Sequence, residues 1–396
     1  MLAWALLCLS CAFVLYALVV YPALMTWSFR HSVRPVRKDS EFRPTVSVVL
    51  AVHNGQQFIR KKLNALLSQD YPRQLLQIIV VSDGSTDATD DIVESFVDDR
   101  GIHLLRIDRG GKAAALNAAL PHLTGDVVFL TDVRQELPSD TLAQLVANFA
   151  DPGVGAVTGE PRFVTADPAP QETDLGLYWR YELWMRRRHS EIGSACNTTG
   201  WIYAIRRELV QPIPPDTLTD DGIIPLRVLC NGYRVVVEPR ALAFESAKIS
   251  TGEFRRKLRT LAGLWQVHAR MPELFTSRNP MRFHFFSHKS SRLLLPWALL
   301  TAWLGVILLP SSPSQRTLAL APLVGITVAL LDFVVPRHSR LKRISSPPRT
   351  FLTMNLASLL SPVVFIVPPT ILWPPTEAVP AGAALERTPH VVKMRS

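Results

Sequence analysis

No charged side chain occurs in the first 29 residues of this chain. A helix of that length exceeds the roughly 20 residues needed to cross a hydrocarbon core. The stretch has no basic segment before it, is too long for the apolar part of a cleaved secretory signal, and runs directly into Arg30, Arg34, Arg37 and Lys38. Residues 1–29 therefore read as a transmembrane anchor. Three more apolar runs lie far downstream, at 293–310, 317–335 and 351–373, and predict three further spans over 293–373 with a tail at 374–396. Asp332 interrupts the second of these near its end, where it reads as interfacial and argues against a transporter. Pro362, Pro368 and Pro369 interrupt the third, which predicts a kinked span because neighbouring helices satisfy the freed backbone groups.

Basic residues crowd the segment after the first span, with Arg43 added to those above, and the link between the third and fourth, with Arg337, Arg340, Lys342, Arg343 and Arg349. The link 311–316 carries a single charge. The positive-inside rule then places residues 30–292 in the cytoplasm and both chain ends outside, which is the layout of an integral protein of a bacterial inner membrane. The net charge of +10 largely reflects this juxtamembrane bias and implies contact with anionic membrane lipids. The basic residues are not interleaved with stacking aromatics, so nucleic acid is not an expected partner. Cys8 and Cys11 fall within the first span, and Cys196 and Cys230 lie far apart in a reducing compartment; all four read as packing residues.

Between the anchor and the second span, short β-branched runs alternate with helical patterns. Strands are expected at 45–52, 76–82, 102–107 and 126–132, and helices at 56–69, 86–97 and 112–120. This rhythm, with strands apolar on both faces, predicts an α/β domain over 44–250 built on a mostly parallel sheet. Ligands of such sheets bind beyond the carboxyl ends of the strands. The polar residues at those ends are the candidates.

His53 and Asn54 follow the first strand. Asp83 follows the second, where a carboxylate can accept from the imide N–H of a uracil, and the adjacent Ser85 or Thr86 can cap a helix. Gly110-Gly111-Lys112 presents backbone N–H groups and an ammonium to a diphosphate. Asp132 ends the fourth strand and is the candidate ligand for Mg²⁺ or Mn²⁺; a site of this kind normally has Asp-x-Asp, whereas here the second position is Arg134. Either a distant ligand completes the metal site or the Arg134 guanidinium neutralises the diphosphate itself. Asp220-Asp221 opens an apolar run after a Pro-rich loop and reads either as a helix cap or as the base that takes a proton from an attacking hydroxyl. Residues 251–292 contain a basic amphipathic stretch with Arg256 and Arg259, which reads as an interfacial helix whose arginines also close over the departing diphosphate.

In order and spacing these motifs resemble the family 2 glycosyltransferases with a GT-A fold, in the membrane-integrated branch that includes hyaluronan, cellulose, chitin and poly-N-acetylglucosamine synthases. The resemblance covers about residues 44–292. It implies a GT-A nucleotide-diphospho-sugar transferase domain plus about four transmembrane helices. It further implies that His53 and Asn54 lie in the first nucleotide-contacting loop, that Asp83 binds uracil, and that Asp132 is the first residue of Asp-x-Asp. Asp221 stands where the family has its catalytic base, with Asp220 in place of a glutamate. Arg256-Lys257-Leu258-Arg259-Thr260 stands where the synthases carry Gln-Arg-x-Arg-Trp, so Arg259 is the best-matched residue there. Gly200 and Trp201 fall where acceptor-contacting residues lie, and Trp201 can stack on a sugar ring. The implied activity is inverting transfer from a UDP-sugar to a polysaccharide or a lipid-linked acceptor. A non-catalytic nucleotide-binding membrane subunit is the competing expectation.

Overall fold

A computed structural model of the chain describes residues 1–97, 101–164, 174–246, 253–336, 339 and 341–372. Arg337, Arg340 and the tail 374–396 lie outside the described residues. The region between the first and later apolar helices is built on a seven-stranded sheet of order β3-β2-β1-β4-β6-β5-β7. Its strands are β1 (Val46–Val52), β2 (Leu76–Asp83), β3 (Ile102–Ile107), β4 (Val127–Thr131), β5 (Val154–Val164), β6 (Ile202–Arg206) and β7 (Arg234–Ser246). The first four are mutually parallel, with Val46 opposite both Leu76 and Val127. Strand β6 runs antiparallel to β4 and β5, and β7 returns parallel to β5. The mostly parallel α/β sheet expected from the sequence is present.

Side chains alternate across a strand, and here both faces are buried. One face of β1 and β2, with Val48, Leu50, Ile78 and Val80, packs on helices α3 (Ile59–Leu67), α4 (Thr89–Glu94) and α6 (Thr141–Val146). The other, with Val49, Ile79 and Val81, packs on α5 (Gly111–Ala119) and α8 (Asp220–Cys230). Helix α4 is shorter than the expected 86–97 because the Asp87 carboxylate caps Thr89 N at 3.0 Å and Thr86 N donates to Asn54 Oδ1 at 2.8 Å, leaving those residues in the loop. Helix α7 (Asp174–Ile192) and the amphipathic α9 (Glu253–Arg270) lie between this domain and the remaining helices.

Helix α1 (Leu2–Leu15) continues through a π-helical turn into α2 (Tyr21–His31), and α10 (Arg282–Phe285) continues likewise into α11 (Ser291–Ile307). Helix α12 (Pro313–Leu331) and α13 (Lys342–Leu360) complete the set. By length and composition, three helices among the described residues can cross a membrane: Leu2–Ser28, Arg282–Ile307 and Pro313–Leu331. Gly305 lets α1 approach α11, because a Cβ there would stand 2.9 Å from Leu7 N.

Two sequence expectations change. Over its described residues the run at 351–373 is not one continuous α-helix: α13 starts at Lys342, carries Arg349 and five serines and threonines, and stops at Leu360, because Pro362 has no N–H to continue it. The boundary at 292 falls inside the continuous helix Arg282–Ile307, so only α9 is a separate amphipathic segment. Asp332, at the C-terminal end of α12, is fully buried, and Lys342 Nζ and Arg349 Nη1 each lie 2.9 Å from its Oδ2, clasping α12 to α13.

Candidate active site

The carboxyl ends of β1, β2 and β4 open on one crevice. Its first two loops are stitched together: His53 Nδ1 bonds the Asp83 carbonyl at 2.8 Å, Asn54 N donates to Ser85 Oγ at 3.2 Å, and Gly55 N donates to Thr89 Oγ1 at 2.8 Å. Asn54 adopts φ 47°, a left-handed conformation that asparagine tolerates better than most residues. His53, Asn54 and Asp83 are thus brought together.

Asp83 is buried, and its oxygens have protein partners. Oδ1 accepts from Gly110 N at 2.7 Å and Gly111 N at 3.0 Å, and Oδ2 pairs with Arg109. This corrects the expectation for Gly110-Gly111-Lys112: the two glycine N–H groups are spent on Asp83 and do not face a diphosphate. Arg109 was not singled out in the sequence, although it directly precedes that motif.

Lys112 is the centre of the site. Its Nζ lies 2.9 Å from Asp132 Oδ1 and 3.2 Å from Asp220 Oδ1, and these carboxylates hold its pKa above the usual lysine value despite burial that pulls the other way. Asp220 is further fixed by Tyr203, whose hydroxyl donates to Oδ2 at 3.0 Å. Asp221, one position on in the first turn of α8, accepts from Gly200 N at 3.2 Å. Burial and the neighbouring Asp220 push its carboxyl up to about 6, against the opposing pull of Lys112 and Arg186. Thr219 is the residue that precedes the first turn of this helix, and Gly263 of α9 packs on it so closely that a Cβ would meet Thr219 Oγ1 at 2.6 Å.

Beneath Asp132, the buried Lys62 donates to Thr131 Oγ1 at 2.8 Å and to the Gln135 carbonyl at 2.9 Å, and its burial brings its pKa down to about 7. Thr131 Oγ1 in turn donates to the Trp201 carbonyl at 2.8 Å, joining the β4 end to the turn that carries Gly200. The Trp201 ring is half-buried and meets Phe163 edge-on, with centroids 5.3 Å apart, and Trp179 at 6.4 Å. Gly200, Trp201, Lys112, Asp132, Asp220 and Asp221 therefore form one constellation.

Three arginines expected here stand apart from it. Arg134 is exposed and its guanidinium lies 5.9 Å from the Phe58 ring centroid, so the cation paired with Asp132 is Lys112. Arg256 and Arg259 are on the exposed side of α9, which instead turns Lys257 inward, 4.2 Å from the Tyr178 ring centroid. Among the described residues no group of three or more His, Cys, Asp or Glu side chains is arranged to hold a metal ion. Asp132 is a single carboxylate already paired with an ammonium, so the residues present do not fit a preformed Mg²⁺ or Mn²⁺ site.

A mostly parallel α/β sheet whose strand ends gather two cross-bonded loops, a lysine between aspartates and a carboxylate pair in the first turn of a helix has the character of a GT-A-like fold. Residues 47–213 match the family described as Glycosyl transferase family 2. It is similar to a probable glycosyltransferase, YdaM, of Bacillus subtilis (strain 168), at 28% identity over 256 residues covering 60% of each chain. It is also similar to a poly-beta-1,6-N-acetyl-D-glucosamine synthase of Staphylococcus epidermidis, at 24% identity over 59% of this chain and 55% of that protein. The match thus spans little more than half the length of these curated relatives. Among solved structures, a mannosyltransferase, PcManGT, from Pyrobaculum calidifontis in complex with GDP-Man and Mn²⁺ is similar over 92% of this chain and 99% of that one, with 26% identity and a TM-score of 0.72.

Proposed function

We propose that this chain is an inverting glycosyltransferase that moves a sugar from a UDP-sugar to a hydroxyl of a polysaccharide or lipid-linked acceptor at the cytoplasmic face of the membrane. The observation that carries the reading is the division of labour between the two adjacent aspartates. Asp220 is tied to Lys112 and Tyr203, whereas Asp221 keeps one short contact and a carboxyl raised to about 6. A base of that strength is unprotonated at neutral pH and still able to accept a proton. Asp221 takes the proton of the acceptor hydroxyl, the oxygen forms a bond to the anomeric carbon, and the bond from that carbon to the diphosphate breaks with its electron pair leaving on UDP.

Lys112 supports the developing charge on the diphosphate from its place between Asp132 and Asp220. Asp83 receives the uracil N–H when the half-exposed Arg109 turns out to solvent. A divalent ion of the kind held in the mannosyltransferase complex would here have Asp132 as its protein ligand beside the donor phosphates, and would supply further positive charge to the leaving diphosphate. The test is release of nucleoside diphosphate from a panel of UDP- and GDP-sugars by the full chain in lipid nanodiscs; one donor turned over supports the reading, and none turned over despite nucleotide binding rejects it.

A further inference from the structure

The turn 198–200 holds Asp221 by three bonds. Thr198 N and Oγ1 donate to the Asp221 carbonyl at 3.0 and 3.2 Å, and Gly200 N donates to its Oδ2 at 3.2 Å. Thr199, between them, is buried; its N–H donates to Thr158 Oγ1 at 3.0 Å, and its hydroxyl accepts from Arg186 Nη1. Arg186, on α7, is 7% exposed, and its buried Nε has no hydrogen-bond partner among the described residues. One guanidinium thus fixes the middle of the turn that fixes Asp221.

The carboxylates that act on Arg186 are Glu182, Asp221 and Glu160. Glu160 answers Arg187. Glu182, four residues before Arg186 on α7, takes His288 Nε2 at 2.9 Å, Lys289 Nζ at 3.3 Å and Arg292, all from the helix Arg282–Ile307. Lys112 lies between Asp132 and Asp220, Tyr203 donates to Asp220, and Lys257, the inward-facing cation of α9, stands over the Tyr178 ring. Arg186, Lys289 and Arg292 are then matched by Glu182, Asp221 and the carboxylate charge left over at Lys112. Protonating Asp221 removes one carboxylate from this set and leaves Arg186, a permanent cation, short of opposite charge in a buried setting, which is costly.

We propose that Arg186 is the positioning residue of the proton-accepting carboxylate: through Thr199 it holds the 198–200 turn against Asp221, and its charge stabilises the ionised form of Asp221. The inference rests on the reading of Asp221 as the base. Burial and Asp220 raise that carboxyl, Lys112 and Arg186 oppose them, and the balance lies at about 6. Losing the pull of Arg186 would leave a large share of Asp221 protonated at neutral pH, and a protonated carboxyl cannot take the acceptor's proton. Arg186 acts on the reaction through Asp221 and its turn.

The test is the pH profile of kcat/KM for wild type, Arg186→Gln and Arg186→Lys, followed as nucleoside diphosphate release by the full chain in lipid nanodiscs with the donor that wild type turns over. Glutamine removes the charge, so the inflection is expected to rise from about 6 to about 7, the effect of one opposite charge lost nearby. Measured against each protein's own high-pH level, kcat/KM at pH 6 is then expected to fall about fivefold relative to wild type. Lysine keeps the charge but not the forked donors, so its inflection is expected to stay near 6 while its high-pH level drops about tenfold. UDP affinity within about twofold of wild type reports an intact fold. An inflection left at about 6 in the glutamine variant would overturn the charge role, and an unchanged high-pH level in the lysine variant would overturn the hold on the turn. If the glutamine variant does not fold, the lysine variant decides alone, since a moved inflection or an unchanged high-pH level there overturns the proposal. A wild-type profile without an inflection near 6 would overturn the reading of Asp221 itself, and the role of Arg186 with it.

Discussion

The Lys112 ammonium stands 2.9 Å from Asp132 Oδ1, where a residue at the start of a helix meets one at the end of a strand. The same ammonium reaches Asp220, so a single cation holds together the strand end and the helix that present the reacting groups. Lys112→Met is expected to lower kcat by about 10²–10³-fold, the range seen for loss of one charge-stabilising donor. Lys112→Arg is expected to recover part of it. Steady-state kinetics on both variants check this, and an unchanged kcat in the methionine variant would remove Lys112 from the chemistry.

Arg134 stands over Phe58 and no cluster of metal-holding side chains occurs among the described residues. Mn²⁺ is therefore expected to bind the nucleotide-free protein no more tightly than a lone surface carboxylate would, and to gain affinity only when a nucleoside diphosphate is present. Titration followed by the electron paramagnetic resonance of free Mn²⁺ measures it. Tight binding without nucleotide would show a preformed site.

The raised carboxyl of Asp221 gives the pH dependence a sign. The base acts unprotonated, so kcat/KM is expected to fall about tenfold per pH unit below about 6 and to be level above it. The same shift favours the protonated form in the folded state, so this group's contribution to stability declines as pH rises from the ordinary aspartate value through about 6. A pH–rate profile and thermal unfolding at matched pH values test the two halves separately.

Much of the fold was legible in the sequence, because β1, β2 and β4 are nearly continuous apolar runs, and such runs form strands buried on both faces. Asp83, Asp132 and Asp221 could be found from their places at strand ends and at a helix start. The partners of these residues could not. Lys112 reaches Asp220 only because the chain crosses over repeatedly between them, and the choice of Lys112 over Arg134 at Asp132 depends on which way a side chain leaves a turn. Arg186 and Glu182 were overlooked although their four-residue spacing puts them on one face of α7. The end of α13 was misplaced because an apolar run was read through Pro362.

Gly263 offers a test of how far the base depends on its surroundings. Gly263→Ala would drive a methyl against Thr219 and push the first turn of α8 away from α9. A misplacement on the order of 1 Å lowers kcat by about 10²-fold, and Thr219→Ala in the same chain is expected to restore most of it. Loss of activity in the single variant that the double variant does not relieve would show that the seam does not position Asp221.

The central assignment is Asp221 as the base, and the most direct measurement compares wild type with Asp221→Asn in lipid nanodiscs, following nucleoside diphosphate release and nucleotide affinity on the same preparations. Release is expected to fall by about 10²–10⁴-fold, the usual contribution of a general base, with UDP affinity within about twofold of wild type. Turnover retained in the asparagine variant would contradict the assignment.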